Sequence, residues 1–197
     1  MISKILRPDP FISIIDGIIP DATLEKMLAE TEYIDSTGYD NVSGESNQTD
    51  YRTSSTFYAY AKYEYLTDYL VDFLKEDVGH EYIRSMAESW QLTKYTEGQY
   101  YKPHWDYFHE DFETSDGRKI NRVATLIIYL NDDFEGGQTV FPSIGLTVQP
   151  KAGRCLYFTY PGGASDTSSQ LTYHEATPVI SGTKKIANLW LRDFRKL

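Results

Sequence analysis

The chain has 197 residues, 41% hydrophobic and 24% charged, an ordinary balance for one soluble globular domain with its own core. Its formal net charge of −10 argues against a nucleic-acid binder, because phosphate contact needs clustered Lys and Arg. A single cysteine, Cys155, excludes an intramolecular disulfide, and no apolar run approaches a membrane span, so the chain is expected to be cytoplasmic, away from membranes.

Residues 1–10 carry Lys4, Arg7 and Asp9 and lack the apolar core of a secretory signal. Residues 11–15 read as a strand ending in the turn Asp16-Gly17. Pro20-Asp21 opens a helix, with Asp21 as its cap and Leu24, Met27 and Leu28 on one face. Residues 35–53 are rich in Ser, Asn, Asp and Gly and form a long loop. Leu66, Tyr69, Leu70, Phe73 and Leu74 recur at helical spacing, and Gly79 ends that second helix.

From about residue 82 short strand-like runs alternate with turns: 89–95, 122–130, 138–141, 146–148, 154–160, 171–175 and 185–192. Gly-, Pro- and Asn-rich turns separate them, a pattern of sandwiches and barrels, jelly rolls included. Cys155, inside such a run, reads as a small buried hydrophobe and not a nucleophile. The loops 109–119 and 161–170 are polar; they are either lids over a site or plain solvent-exposed connections.

Four histidines are present: His80, His104, His109 and His174. In an extended segment residues two apart share a face, so His104 and Asp106 can reach one metal. His174, on another strand-like run, would complete a 2-His-1-carboxylate triad that leaves coordination positions open for a cosubstrate and O₂. A His-x-Asp pair alone is weak evidence, since a surface histidine beside an aspartate is commoner. Lys184, beyond the turn Ser181-Gly182-Thr183, is either a buried ammonium for a carboxylate ligand or half of a solvated pair with Lys185.

Four segments resemble the prolyl 4-hydroxylase catalytic domain family, which is Fe(II)- and 2-oxoglutarate-dependent. They are Gly-Gln-Tyr-Tyr-Lys-Pro-His-Trp-Asp-Tyr-Phe over residues 98–108, Arg-Val-Ala-Thr at 122–125, Glu-Gly-Gly-Gln-Thr-Val-Phe-Pro at 135–142, and His-Glu-Ala-Thr-Pro-Val at 174–179. Gly182-Thr183-Lys184 and Asn188-Leu189-Trp190 follow the last of them, and Tyr51-Arg52-Thr53-Ser54-Ser55 is a weaker upstream match. The resemblance implies a mainly β (α+β) fold, a double-stranded β-helix or jelly roll. It would form a single dioxygenase domain over 1–197, with N-terminal helical and strand support over 1–81 and the β-helix core over 82–197.

The same resemblance implies that His104, Asp106 and His174 hold Fe(II), and that Lys184, assisted by Tyr101 and Thr125, holds the far carboxylate of 2-oxoglutarate. Arg122 and Trp190 fall where the family binds substrate, and Tyr107 and His109 are further candidates there. No catalytic residue beyond the metal ligands is implied. The reaction expected is hydroxylation of prolyl residues in a peptide or protein, with 2-oxoglutarate and O₂ converted to succinate and CO₂ and ascorbate as reductant. Glu175 and Arg192 depart from the family, where relatives carry a small residue and a histidine. Three other readings stay open: a hydroxylase of another side chain or a small molecule, a non-catalytic cupin-like binding module, and a zinc hydrolase, though no His-Glu-x-x-His motif accompanies the triad. The sequence leaves the oligomeric state open.

Overall fold

The structure, a computed structural model, describes residues 2–35, 38–39, 46–47 and 51–194. A major antiparallel sheet is ordered Ile2–Pro8, Phe11–Asp16, Cys155–Thr159, Lys119–Tyr129, Thr183–Phe194, Trp90–Thr96, Ser55–Ala59, Ile34–Asp35, with Phe112–Glu113 on the start of Lys119–Tyr129. A minor sheet is ordered Leu146–Val148, Thr139–Phe141, His174–Ala176, Tyr101–His104. These two antiparallel sheets form the double-stranded β-helix expected from the sequence.

The period-2 alternation of the central strands sorts their side chains into two cores. Ala124, Leu126, Ile128, Ala187, Leu189 and Leu191 face the helices Asp21–Leu28 and Glu64–Phe73, meeting Met27, Leu66 and Leu70. Complete burial of a leucine such as Leu66 or Leu70 stabilises the fold by about 1.5–3 kcal/mol. The intervening residues turn inward between the sheets: Ile127, Tyr129 and Ile186 pack with Phe141, Val148, Leu156 and Phe158. Thr125, Lys184, Asn188 and Trp190 are also buried on these strands, and this inward alternation gives the site its polar groups.

Several local expectations change. Pro20, not Asp21, is the N-cap of the first helix; Asp21 occupies its first turn, where a carboxylate suits the helix dipole. Met27 is buried in that helix, whereas Leu28 is exposed. The second helix continues through a π-helical turn, Leu74–Val78, and ends at Gly79 with φ 78°; Tyr69 lies on its exposed side. Residues 171–175 do not form one strand. A short helix, Thr167–Gln170, is capped by the Asp166 carboxylate, which accepts from the amides of Ser168 and Ser169, and the strand begins only at His174. Much of the loop expected over 35–53 lies outside the described residues; at its end Arg52 bridges to Tyr101. Among the described residues no helix is long and apolar enough to cross a membrane.

Candidate metal centre

His104 ends the strand Tyr101–His104, and His174 begins the neighbouring strand His174–Ala176, so pairing sets the two histidines opposite each other. Asp106 lies past the strand end, in a bend, so strand geometry alone does not place it. Thr125 donates to its Oδ2 at 2.6 Å, and Arg122 Nη1 donates to its carbonyl oxygen at 3.1 Å. The three residues present ligand atoms within 4.8 Å of one another, all buried. His104 Nε2 is 3.6 Å from Asp106 Oδ1, and His174 Nε2 is 3.9 Å from Oδ2.

The imidazole tautomers follow from the hydrogen bonds. Nδ1 of His104 lies 2.8 Å from the Lys102 carbonyl oxygen, and Nδ1 of His174 lies 2.9 Å from that of Thr172. A carbonyl only accepts, so each Nδ1 carries the proton and each Nε2 lone pair is left for a metal. Burial, and then the adjacent His174, push His104 down to about 3, so its ring is neutral at pH 7. Burial alone would raise the Asp106 carboxyl; His174, His104, Arg122 and the Thr125 hydrogen bond outweigh it and hold the group below its ordinary value. Two imidazole Nε2 atoms and a carboxylate form a donor set suited to Fe(II).

These groups line a cavity of about 440 Å³ that also reaches Lys184. The Lys184 ammonium is buried, donates to the Gly137 carbonyl at 2.6 Å and lies 5.1 Å from the Tyr95 ring centre. No carboxylate pairs with it among the described residues, and burial lowers its pKa to about 7. Of the two sequence readings, the solvated pair is therefore excluded. Tyr101, also lining the cavity, stacks on His104 with ring centres 3.6 Å apart.

Arg122, Trp190 and Tyr107 reach the same cavity, while His109 is exposed and outside its lining. The Arg122 guanidinium lies 4.0 Å from the Trp190 ring centre and forms a fork with Glu88, both contacts 2.7 Å. Thr125 is buried behind the cavity wall, joined to Asp106 and, at 2.5 Å, to the Tyr160 hydroxyl. His80 is half-buried at the margin of the helix-facing core, with Nδ1 2.7 Å from Tyr157 Oη.

Sequence reasoning gave no role to Arg52, Glu88, Tyr160 or Asn188. Asn188 was discoverable, since it alternates with Lys184, Ile186 and Trp190 along one face. Arg52 lies in the weaker upstream match, which carried no role for it; here it is buried, giving hydrogen bonds to Ser54, Thr56, Gln91 and Thr93 and lying 4.9 Å from the Tyr101 ring centre. Cys155 is free and buried, its thiol pushed up to about 12 by that burial.

The family model described as the 2OG-Fe(II) oxygenase superfamily matches residues 90–192. The chain belongs to that superfamily, and its relatives are prolyl 4-hydroxylases. It is 32% identical over 181 residues to prolyl 4-hydroxylase subunit alpha-1 of Rattus norvegicus, a match that covers 89% of this chain and 33% of that protein. It is 34% identical over 190 residues to probable prolyl 4-hydroxylase 10 of Arabidopsis thaliana, covering 84% and 62% respectively. The chain thus spans about a third of the length of the α subunit. Among solved structures, viral collagen prolyl hydroxylase from Paramecium Bursaria Chlorella virus-1, in its 2OG complex, superposes with a TM-score of 0.65 at 26% identity, over 92% of this chain and 95% of that one. A prolyl hydroxylase from Trichoplax adhaerens, bound to a peptide fragment, shares the fold with a TM-score of 0.63 at 16% identity, over 93% and 83%. Fe(II) and 2-oxoglutarate are the metal and cosubstrate of this superfamily.

Proposed function

We propose that the chain is one catalytic domain that hydroxylates prolyl residues in a peptide or protein, using O₂ and 2-oxoglutarate, with ascorbate as reductant. The observation that carries this reading is the presence, in one cavity, of the His104–Asp106–His174 triad and the carboxylate-free ammonium of Lys184. The similarity to prolyl 4-hydroxylases supports the choice of substrate.

In this reading His104, Asp106 and His174 hold Fe(II), which when bound supplies the oxidising chemistry with 2-oxoglutarate and O₂. The remaining work belongs to the protein's own side chains. Lys184, buried in the cavity wall, takes the far carboxylate of 2-oxoglutarate in a charge-assisted hydrogen bond. Tyr101 packs flat on His104 and fixes that ring's plane. The inner arrangement of Arg122, Trp190 and Tyr107 forms the substrate side of the cavity. Arg122 is locked by Glu88, so its guanidinium is oriented before a peptide arrives.

The test is incubation of purified protein with Fe(II), ascorbate and 2-oxoglutarate, with and without a proline-rich peptide. Peptide-stimulated succinate with one oxygen atom gained on proline is the expected result. Succinate with an unmodified peptide would keep the oxygenase and reject prolyl specificity.

A further inference from the structure

Beside the catalytic cavity runs a second, more open groove of about 550 Å³, bordered by Tyr58, Tyr60 and Arg192. It shares Tyr58, Gln91, Arg122 and Trp190 with the cavity, so the two spaces adjoin along these side chains. A chain that enters the cavity at Arg122 and Trp190 therefore has the groove as its next contact.

The charges in the groove do not cancel. Arg122 is fully engaged: Nε and Nη2 donate to Glu88, and Nη1 donates to the Asp106 carbonyl. Arg192 also donates through Nε to Glu88 Oε1, at 2.7 Å. Its two terminal amino groups have no protein partner among the described residues, and its side chain is 34% exposed. Two guanidiniums face one carboxylate, and burial of Glu88, which would raise its pKa, is outweighed by those two arginines, so the carboxylate is ionised. The result is one uncompensated positive charge in a chain whose net charge is −10. Phe108 and Phe112, with ring centres 5.6 and 5.5 Å from the Arg192 guanidinium, leave it half-shielded from water. On the other wall Tyr58 and Tyr60 stack with centres 6.0 Å apart and present an exposed aromatic surface.

We propose that this groove is a substrate subsite in which Arg192 binds a carboxylate carried near the target residue, while Tyr58 and Tyr60 support the peptide backbone. The carboxylate comes from an acidic side chain or from the peptide's own C-terminus. A guanidinium with free amino groups recognises a carboxylate through paired hydrogen bonds, which a neutral or basic side chain cannot accept. The inference rests on the prolyl-hydroxylase reading and adds to it a preference that the oxidation chemistry does not require.

The experiment compares proline-containing peptides with Glu, Gln or Lys within three residues of the proline, on either side, each C-terminally amidated. A Gln peptide with a free C-terminal carboxylate separates the two carboxylate sources. The expected result is a KM about fivefold lower for Glu than for Gln, higher still for Lys, with the advantage shrinking as salt is raised. In Arg192→Gln the Glu advantage should vanish through KM; Arg192→Lys should restore part of it. Equal KM values for the Glu and Gln peptides and for the free-carboxylate peptide in the unaltered protein would overturn the subsite, as would a preference that survives Arg192→Gln. Both comparisons presuppose prolyl oxidation; its absence for every peptide would overturn the substrate reading and the subsite together.

Discussion

Thr125 donates a 2.6 Å hydrogen bond to Oδ2 of Asp106, the carboxylate of the triad. A threonine hydroxyl has one proton, so the 2.5 Å contact between Thr125 and Tyr160 must be donated by Tyr160. The order Tyr160 to Thr125 to Asp106 orients the carboxylate from behind the cavity wall. Thr125→Val should weaken Co(II) or Fe(II) binding about tenfold, as loss of an outer hydrogen bond to a metal ligand typically does. Tyr160→Phe should cost less, and the double variant should bind metal no worse than Thr125→Val alone. Metal titration followed by absorbance checks this; additive losses would contradict the relay.

In the proposed reading, Lys184 sets the pH dependence of cosubstrate use. Its folded pKa is lowered to about 7 by burial, and a carboxylate would bind the charged form. As pH rises through 7 the ammonium is lost, so KM for 2-oxoglutarate should climb above that pH and level off below it. Lys184→Ala should raise that KM about 10- to 100-fold and flatten its dependence on pH, the size expected for one charge-assisted hydrogen bond. Initial rates of succinate release between pH 6 and about 9, a window spanning that titration, provide the check; a flat profile for the unaltered protein would reject the assignment.

The two glycines of Glu135-Gly136-Gly137 should fail differently. A Cβ on Gly136 would lie 2.4 Å from the Pro178 carbonyl oxygen, a backbone atom that cannot yield. A Cβ on Gly137 would lie 2.9 Å from Lys184 Cδ, a flexible side chain. Both have positive φ, which costs any residue with a Cβ about 1–2 kcal/mol. Gly136→Ala should therefore lower the melting temperature most, and Gly137→Ala should mainly raise the KM for 2-oxoglutarate by displacing Lys184. Thermal melts beside cosubstrate kinetics separate the two; the reverse ranking would contradict the geometry.

Much of this arrangement was legible in the chain. The short strand-like runs from about residue 82 and the family-like segments at 98–108, 122–125, 135–142 and 174–179 carry the barrel and most of its site. The legible part stops where side chains act across the fold. Asp106 was read as a strand neighbour of His104, yet a bend and the Thr125 hydrogen bond place it. The edge strand Ile2–Pro8 was missed because its exposed residues show no alternation. Residues 171–175 looked extended because Leu171, Thr172 and Tyr173 favour strands, but the Asp166 cap stabilises a helix just before them. Arg52 and Glu88 owe their importance to partners 39 and 34 residues away, Gln91 and Arg122, which no local pattern shows.

In the proposed reading, Arg122 connects fold and substrate. Arg122→Ala removes a buried guanidinium but leaves Glu88 paired with Arg192, so it should destabilise the protein by less than the roughly 3–5 kcal/mol of an orphaned buried charge. Peptide-dependent oxidation should fall further than peptide-independent turnover of 2-oxoglutarate. Denaturant melts and the two assays run side by side test this; an equal fall in both activities would remove Arg122 from the substrate side.

The most direct measurement of the central claim is coupled turnover in the protein and in His174→Ala, each given Fe(II), ascorbate, 2-oxoglutarate and a proline-rich peptide. The expected outcome is succinate matched by oxygen gained on proline in the unaltered protein, and neither product in His174→Ala. Full activity in His174→Ala would contradict the triad, and a folded, iron-supplied protein that forms no succinate with any peptide would contradict the enzyme itself.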